Sequence, residues 1–435
     1  MDIPFTKHTL PNGLDIVVHE DRAVPIVAVN VWYHVGSKNE VPGRTGFAHL
    51  FEHLMFEGSE HHDAGYFQPL QAAGAALNGS TNADRTNYWE VVPSNGLDLA
   101  LWMESDRMGY LLPALTDTKF ENQRDVVLNE RRQNYENRPY GLAGMAIVGA
   151  LYPADHPYHW LTIGAAEDIR AAHIDDVRAF FSTYYHPANA SLALAGDIDA
   201  ATAIRLAERY FGDIPGRGEP PQVQLPEASM TSEVRLVLED RVELPRLYLA
   251  WHSPALFAED DAELDLIAEV LAGGKTSRLY KSLVYQQRIA TEVAASQNSR
   301  EGGSFFQIVA TAAPGHTLVE VERAISRELA ALSANGPRPD EMERCLAQAE
   351  SQFLSRLQTV GGFGGKSDQL NAYNTYLGNP GFFRNDLERY RTTTADGVRR
   401  AAARWLKPDA RAVLSVVPRG RLALALEHSS KAAVS

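Results

Sequence analysis

Cysteine is almost missing from this chain of 435 residues: Cys345 is the only one, which excludes an internal disulfide and a cysteine-built zinc cage. No uninterrupted apolar run is long enough to span a bilayer, so no membrane insertion is expected. Basic residues are outnumbered, with 41 Lys and Arg against 55 Asp and Glu and a formal net charge of −14. That balance argues against nucleic acid and anionic membrane as partners. It is compatible with a basic peptide substrate, although a solvated acidic surface is the simpler reading. The opening stretch MDIPFTKHTLPNGLDIVVHED lacks the basic segment and apolar segment of a signal peptide. The expectation is a cytoplasmic protein, or a periplasmic one after removal of a leader absent from this sequence.

What is present has the composition of a globular protein, 45% hydrophobic and 22% charged, at a length that suggests more than one domain. The chain reads as a degenerate repeat. VPIVAVNVWYHVGS (24–37) and VELPRLYLAWHSPA (242–255) each read as a buried strand ending at a turn. Each is followed by a helix, GFAHLFEHLMFEG (46–58) and AELDLIAEVLAGG (262–274). Each half closes alike, FFSTYYHPANASLALAGD (180–197) matching AAARWLKPDARAVLSVVP (401–418) at nearly the same offset. Between them DIPGRGEPPQVQLPEAS (213–229) is rich in Pro and Gly and reads as a tether. The expected domains are 1–212, linker 213–229 and 230–435. Strands mix with long helical stretches at 117–137 and 318–334 without strict alternation. This predicts an α+β fold of two homologous halves, each a mostly antiparallel sheet with helices packed on one face.

The stretch HLFEH holds His49, Glu52 and His53. Apolar residues at 47, 50, 51, 54 and 55 recur at helical spacing. Positions i and i+4 share a helix face, so the two imidazoles can aim at one point with Glu52 beside them. Two imidazoles suit zinc, a catalytic zinc takes three protein ligands, and a carboxylate outside the ligand set can act as general base. Histidines beside a core helix are also commonly satisfied by hydrogen bonds, and the pentapeptide alone leaves both readings open. Aligned without gaps, the second copy puts Asp265, Ala268 and Glu269 opposite His49, Glu52 and His53, so it keeps the helix without the ligands.

A third ligand is expected on the helix at 117–137, where Glu130 follows His53 with 76 residues (54–129) between them. With this spacing the chain resembles the M16 metallopeptidases, the group of insulin-degrading enzyme, pitrilysin and the mitochondrial processing peptidase. GAALNGSTNADRTNYWEVVP (74–93), HPYHWLTIG (156–164), YHPANASLALAGDI (185–198) and GGKTSRLYKSL (273–283) extend the likeness over nearly the whole chain. The resemblance implies one Zn²⁺ per chain on His49, His53 and Glu130, with Glu52 as general base. It implies that the strand ALNGST (76–81) adds a peptide as an extra strand, Asn78 and Gly79 touching its main chain; the plainer reading of Gly79 is a bulge. A glutamate usual in the family seven residues before the third ligand is here Gln123, which can still hydrogen-bond, for instance to a ligand.

In members competent alone, the resemblance implies, the second half supplies an Arg and a Tyr that hold the substrate. Aligned on SLVYQQRIATEV (282–293), those places are Val284 and Thr291, with Tyr285 and Arg288 nearby in reverse order. The expected function is therefore the zinc-bearing subunit of a heterodimeric peptidase. It would close as a clamshell over a peptide or unfolded segment with a homologous subunit that brings Arg and Tyr. A self-sufficient homodimeric peptidase and a non-catalytic scaffold are the alternatives. VGGFGGKS (360–367) fails as a phosphate loop, since Val360 stands where glycine is required, and reads as a flexible loop or helix break. His61 and His62 read as solvated surface.

Overall fold

The structure is a computed structural model and describes residues 2–434. It contains two six-stranded sheets. The first is built from β1 (Thr6–Thr9), β2 (Asp15–Glu20), β3 (Ile26–Tyr33), β4 (Ala76–Thr81), β5 (Thr86–Pro93) and β6 (Ala190–Gly196), in the order β1-β2-β6-β3-β5-β4. The second is built from β7 (Val234–Asp240), β8 (Arg246–Ser253), β9 (Ala290–Asn298), β10 (Ser304–Ala312), β11 (Ala412–Pro418) and β12 (Ser430–Lys431), in the order β12-β7-β11-β8-β10-β9. Five strands repeat one topology: β2-β6-β3-β5-β4 matches β7-β11-β8-β10-β9. Pairing is antiparallel except β2 with β6 in the first sheet, and β7 with both β11 and β12 in the second. The duplicated, mostly antiparallel α+β fold expected from the sequence is present.

Contacts divide the chain into two compact units that are discontinuous in sequence. One comprises the chain up to Asn129, Thr162–Gln224 and Gln352–Asn385; the other comprises Glu130–Leu161, Leu225–Ser351 and Asp386 onward. The first sheet carries helices Phe47–Leu54, Leu97–Ala114 and Ala200–Phe211, and the second carries Asp261–Ala272, Leu318–Asn335 and Ala395–Trp405. A further helix is borrowed in each unit. Lys366–Leu377, from late in the chain, packs on β2, β3 and β6, while Ala143–Leu151, from the first half, packs on β8 and β11. Such a second layer is what β3 needs, since Val27 to Tyr33 are all buried and successive side chains point to opposite faces.

The borrowed helix of the first unit meets a polar row. Asp368, Asn371 and Asn374 recur every three residues on its buried face. The Asp368 carboxylate accepts from Trp32 Nε1 at 2.9 Å, Asn87 Nδ2 at 3.1 Å and the Gly364 amide at 2.8 Å. Asn371 donates to the Asn30 carbonyl at 2.8 Å, and Asn374 donates to Asp15 at 2.9 Å. By strand alternation Ala28, Asn30 and Trp32 face this helix, whereas Val27, Val29, Val31 and Tyr33 point to the opposite face, where Leu97–Ala114 packs. Asp368→Ala removes one acceptor and leaves at least two buried donors without a partner. It is expected to lower stability to urea by about 3 kcal/mol, a sum of unsatisfied buried groups. Asp368→Asn, which keeps an acceptor, loses less; unfolding followed by tryptophan fluorescence checks both.

Candidate metal centre

The helix Phe47–Leu54 begins at Gly46, whose φ is +87°, a left-handed conformation that glycine accepts without strain. The side chain of Glu40 caps this start, its two oxygens accepting from the amides of Gly46 and Ala48 at 2.9 Å each. Two of the orphan donors of the first turn are thereby satisfied with a negative charge at the positive end of the helix. Thr45 is tied to Asp168 through amide and hydroxyl, at 3.0 and 2.7 Å. Phe47, Ala48, Leu50, Phe51 and Leu54 are buried, and Phe51 stacks on Phe180 with ring centroids 5.6 Å apart. This packing fixes which way the other face points. That face carries His49, Glu52 and His53, each half-buried.

Glu130 stands in the last turn of the helix Asp117–Arg131, all of which up to Asn129 belongs to the first unit. One ligand-type atom from each of His49, His53 and Glu130 lies within 4.8 Å of the others. Among the described residues this is the single group of three or more His, Cys, Asp or Glu side chains so placed. The two imidazole rings stand perpendicular, 4.9 Å between centroids. Two imidazoles and one carboxylate match in number and type what a catalytic zinc takes from a protein, leaving a position open. Asn134, in the π-helical turn Arg132–Glu136, donates to Glu130 Oε1 at 3.3 Å. That residue carried no signal in the sequence beyond its four-residue spacing from Glu130.

Gln123 bonds elsewhere than expected. Its Nε2 donates to Glu57 Oε1 at 2.6 Å, not to one of the three clustered side chains. A glutamate at 123 would face Glu57 as a second negative charge, so the neutral donor fits the partner it has. Gly79 is not a bulge: β4 pairs with β5 without a register shift. A Cβ there would lie 3.0 Å from the Tyr88 ring and 3.2 Å from Phe56, so a side chain would have to push those rings back. Beneath it Arg107, fully buried, pairs with Glu104 and Glu90 and lies against the rings of Tyr66 and Tyr88. Burial and the adjacent Glu104 push the Glu90 carboxyl well above the ordinary range, which favours its protonated form. Asn78 is exposed, and its Oδ1 accepts from the Gly79 amide at 2.8 Å. His61 and His62 are more than solvated surface. His61 is tied to Asp106 through ring and main chain, and His62 packs near Trp102 with a buried Nε2.

In the second unit the counterpart helix, Asp261–Ala272, carries Asp265 where the first carries His49. Asp265 accepts from the Tyr390 hydroxyl at 2.5 Å. Burial, with Asp261 acting in the same direction, pushes its carboxyl up to about 7 despite the hydroxyl, which pulls it down.

The geometry is that of a duplicated α+β protein with one donor cluster suited to a catalytic metal, and comparison with known proteins gives the family. The family described as Insulinase (Peptidase family M16) matches residues 15–151, and Peptidase M16 inactive domain matches residues 172–349. The chain belongs to the M16 peptidase family. A relative named zinc protease PqqE from Helicobacter pylori is 29% identical over 375 residues, 85% of this chain and 82% of that one. A solved protease from Helicobacter pylori superposes with a TM-score of 0.89 at 26% identity, covering 96% of this chain and all of that one. The fold also matches the periplasmic protease PqqL of Escherichia coli, with a TM-score of 0.78 at 17% identity, over 98% of this chain and 50% of that one.

Because the folded pKa of Asp265 is raised, its favourable contribution is complete below the ordinary carboxylate pKa of 3.8 and is lost as pH rises to about 7. Asp265→Asn keeps an acceptor for Tyr390 and does not ionise. The variant is expected to gain stability over wild type progressively from about pH 4 to pH 7 and to hold that gain above. The scale is about 4 kcal/mol. Thermal unfolding at pH 5 and pH 8 measures the difference.

Proposed function

We propose that this chain is the zinc-bearing subunit of a peptidase that hydrolyses peptides or unfolded segments. The observation that carries this reading is the convergence of His49, His53 and Glu130, with Glu52 on the same helical turn as the two histidines. In this reading those three side chains hold one zinc ion, which when bound supplies a Lewis acid for the scissile carbonyl and lowers the pKa of water toward about 7. Glu52 takes the proton of the attacking water and returns it to the leaving amine. Asn134 and the capped start of the ligand helix hold the donors in place. A peptide adds to β4, which is paired on one side only, and Asn78 and Gly79 meet its main chain.

The need for a second subunit rests on what stands in the second unit. Val284, partly buried, packs its apolar side chain against the core there and carries no charge for a substrate contact. Thr291 is exposed and its hydroxyl turns to the Thr311 carbonyl at 3.4 Å. Neither supplies a donor for a developing oxyanion. A homologous subunit carrying Arg and Tyr would supply both. The match to half of the longer PqqL chain supports a reading in which this fold works as part of a larger assembly. A self-sufficient peptidase is the second reading, favoured by Tyr285, which is 74% exposed, and by exposed Arg288, two residues before β9, with φ of +56°.

Metal analysis after dialysis against zinc is expected to give about one zinc per chain, and Glu130→Gln is expected to lose it. Glu52→Gln is expected to keep the metal and lose peptidase turnover by about 10²–10⁴-fold; metal loss in that variant would place Glu52 among the ligands.

The isolated chain is expected to turn over peptides poorly, and mixing it with a homologous subunit that bears Arg and Tyr is expected to raise the rate at least about 10²-fold, the scale of one preorganised oxyanion donor. Assays of each subunit alone and mixed, with size-exclusion chromatography, decide. Full activity without the partner would favour the self-sufficient reading.

A further inference from the structure

The loop VGGFGGKS uses four glycines to hold one exposed aromatic ring in a fixed place. Gly361 lies flat on the first sheet: a Cβ there would come within 2.5 Å of Ala28 Cβ and 2.6 Å of Val91 Cγ2. Gly362 and Gly364 have φ of +82° and +74°, and a Cβ on Gly365 would meet the Gly361 carbonyl at 2.4 Å. The loop is anchored on both sides. The Gly364 amide donates to buried Asp368, and Lys366 pairs with Asp21 at 2.6 Å. At its tip Phe363 is 51% exposed and meets Trp89 edge to face, 5.5 Å between centroids. Nothing in the packing of the sheet requires a large apolar ring there, and the anchored loop holds it against Trp89 of β5, the strand that pairs with the open edge strand β4.

The register says what that surface faces. Asn30, Trp89 and Asn78 stand opposite one another across β3, β5 and β4, and directly opposed residues point to the same face. Phe363 and Trp89 therefore share a face with Ala76, Asn78 and Ser80 of the open edge strand. Gly79, between them, points to the other face, where Phe56 follows the end of the ligand helix. A peptide strand added to β4 alternates in the same way, one set of side chains toward the ligand helix and the other toward the loop.

We infer that Phe363, backed by Trp89, is a specificity-determining residue that selects apolar side chains at alternate positions of a peptide lying along β4. The inference rests on the peptidase reading and names the side-chain class that reading leaves open. The charges nearest these positions are engaged elsewhere: Lys366 pairs with Asp21, and Arg85 donates to Ser80 and lies over the Trp32 ring. The contact is with substrate side chains only, so Phe363 takes no part in metal binding or proton transfer.

The test is cleavage of a decapeptide library, randomised at one position at a time, by the zinc-loaded chain together with its Arg/Tyr-bearing subunit. Products are read by mass spectrometry. The wild type is expected to favour aromatic and branched apolar residues at positions of one parity about the scissile bond. Phe363→Ala is expected to lower that preference about tenfold, through KM, while selection at the other parity, zinc content and thermal stability stay as they were. Phe363→Leu is expected to restore most of it. An unchanged profile in Phe363→Ala, or an equal loss at both parities, overturns the inference and leaves the peptidase reading standing. Absence of any cleavage by the zinc-loaded pair overturns the peptidase reading and this inference with it.

Discussion

Two imidazoles four residues apart meet a carboxylate from another helix only if both helices are held against rotation, because a small turn of either swings a ring nitrogen by ångströms. The structure meets this constraint from both sides. The helix Phe47–Leu54 is fixed at its start by Glu40 on two amides and along its length by the Phe51 stack on Phe180. The helix Asp117–Arg131 is tied to the segment that follows the first one through Gln123 to Glu57 and Lys119 to Asp63. Both ties run between the same two stretches of chain, so they set the spacing of the helices as well as their rotation. In that light Gln123 serves as a strut. Its partner is an acid, and a neutral donor makes a hydrogen bond where a second carboxylate would repel.

The second copy shows what the same scaffold does when the constraint is lifted. Its strand order is that of the first, and its counterpart helix is twelve residues long against eight. Where the first copy brings His49 together with His53 and Glu130, the second buries Asp265 against the Tyr390 hydroxyl. Arg389 and Asp261 close an ion pair beside it at 2.9 Å. The polar positions have been absorbed into an internal network, at the cost of one carboxyl whose burial resists ionisation. Duplication also explains the borrowed helices. Ala143–Leu151 follows the helix Asp117–Arg131 in the first half, and Lys366–Leu377 follows its counterpart, Pro339–Arg356, in the second. Each covers the sheet of the unit to which the other half gives its strands. The exchange is therefore one event repeated, and it ties the two halves into one folding problem.

Much of this was legible in the residues. Helical periodicity around HLFEH and the repeat of strand, helix and closing strand follow from local patterns, and local patterns are what a sequence displays. Glu130 needed the family likeness, since nothing within its own helix distinguishes it from Glu121. Other features are set by distance in space. Glu40 caps a helix across an intervening turn, and its role shows only once that turn is folded. The destination of the borrowed helices is invisible in their amphipathicity, which reports a buried face and says nothing about which sheet buries it. The glycine in ALNGST read as a bulge or a close backbone approach, whereas Phe56 and Tyr88 fill the space its side chain would need. The loop at 360–367 read as a flexible break. It does separate two helices, but contacts with Ala28, Val91, Asp21 and Asp368 hold it on the sheet.

An edge strand that is to accept a peptide, as proposed for β4, must stay open to one partner and closed to its own kind, since unpaired strand edges join other edges readily. β4 meets these opposing demands by being short, only six residues, and by using the side chain of Asn78 on the neighbouring amide of Gly79. That hydrogen bond satisfies a backbone donor locally and weakens the edge as a template for random pairing. Asn78 can release it at small cost when a better-aligned carbonyl accepts from the Gly79 amide, because its Oδ1 then accepts from water. Glycine beside it lets the aromatic layer beneath reach the backbone, so the strand is stiffened from below and left bare at its edge. The residues that make β4 a poor strand by propensity, Asn and Gly among small neighbours, are thus the ones that would suit it to the reversible partner proposed above.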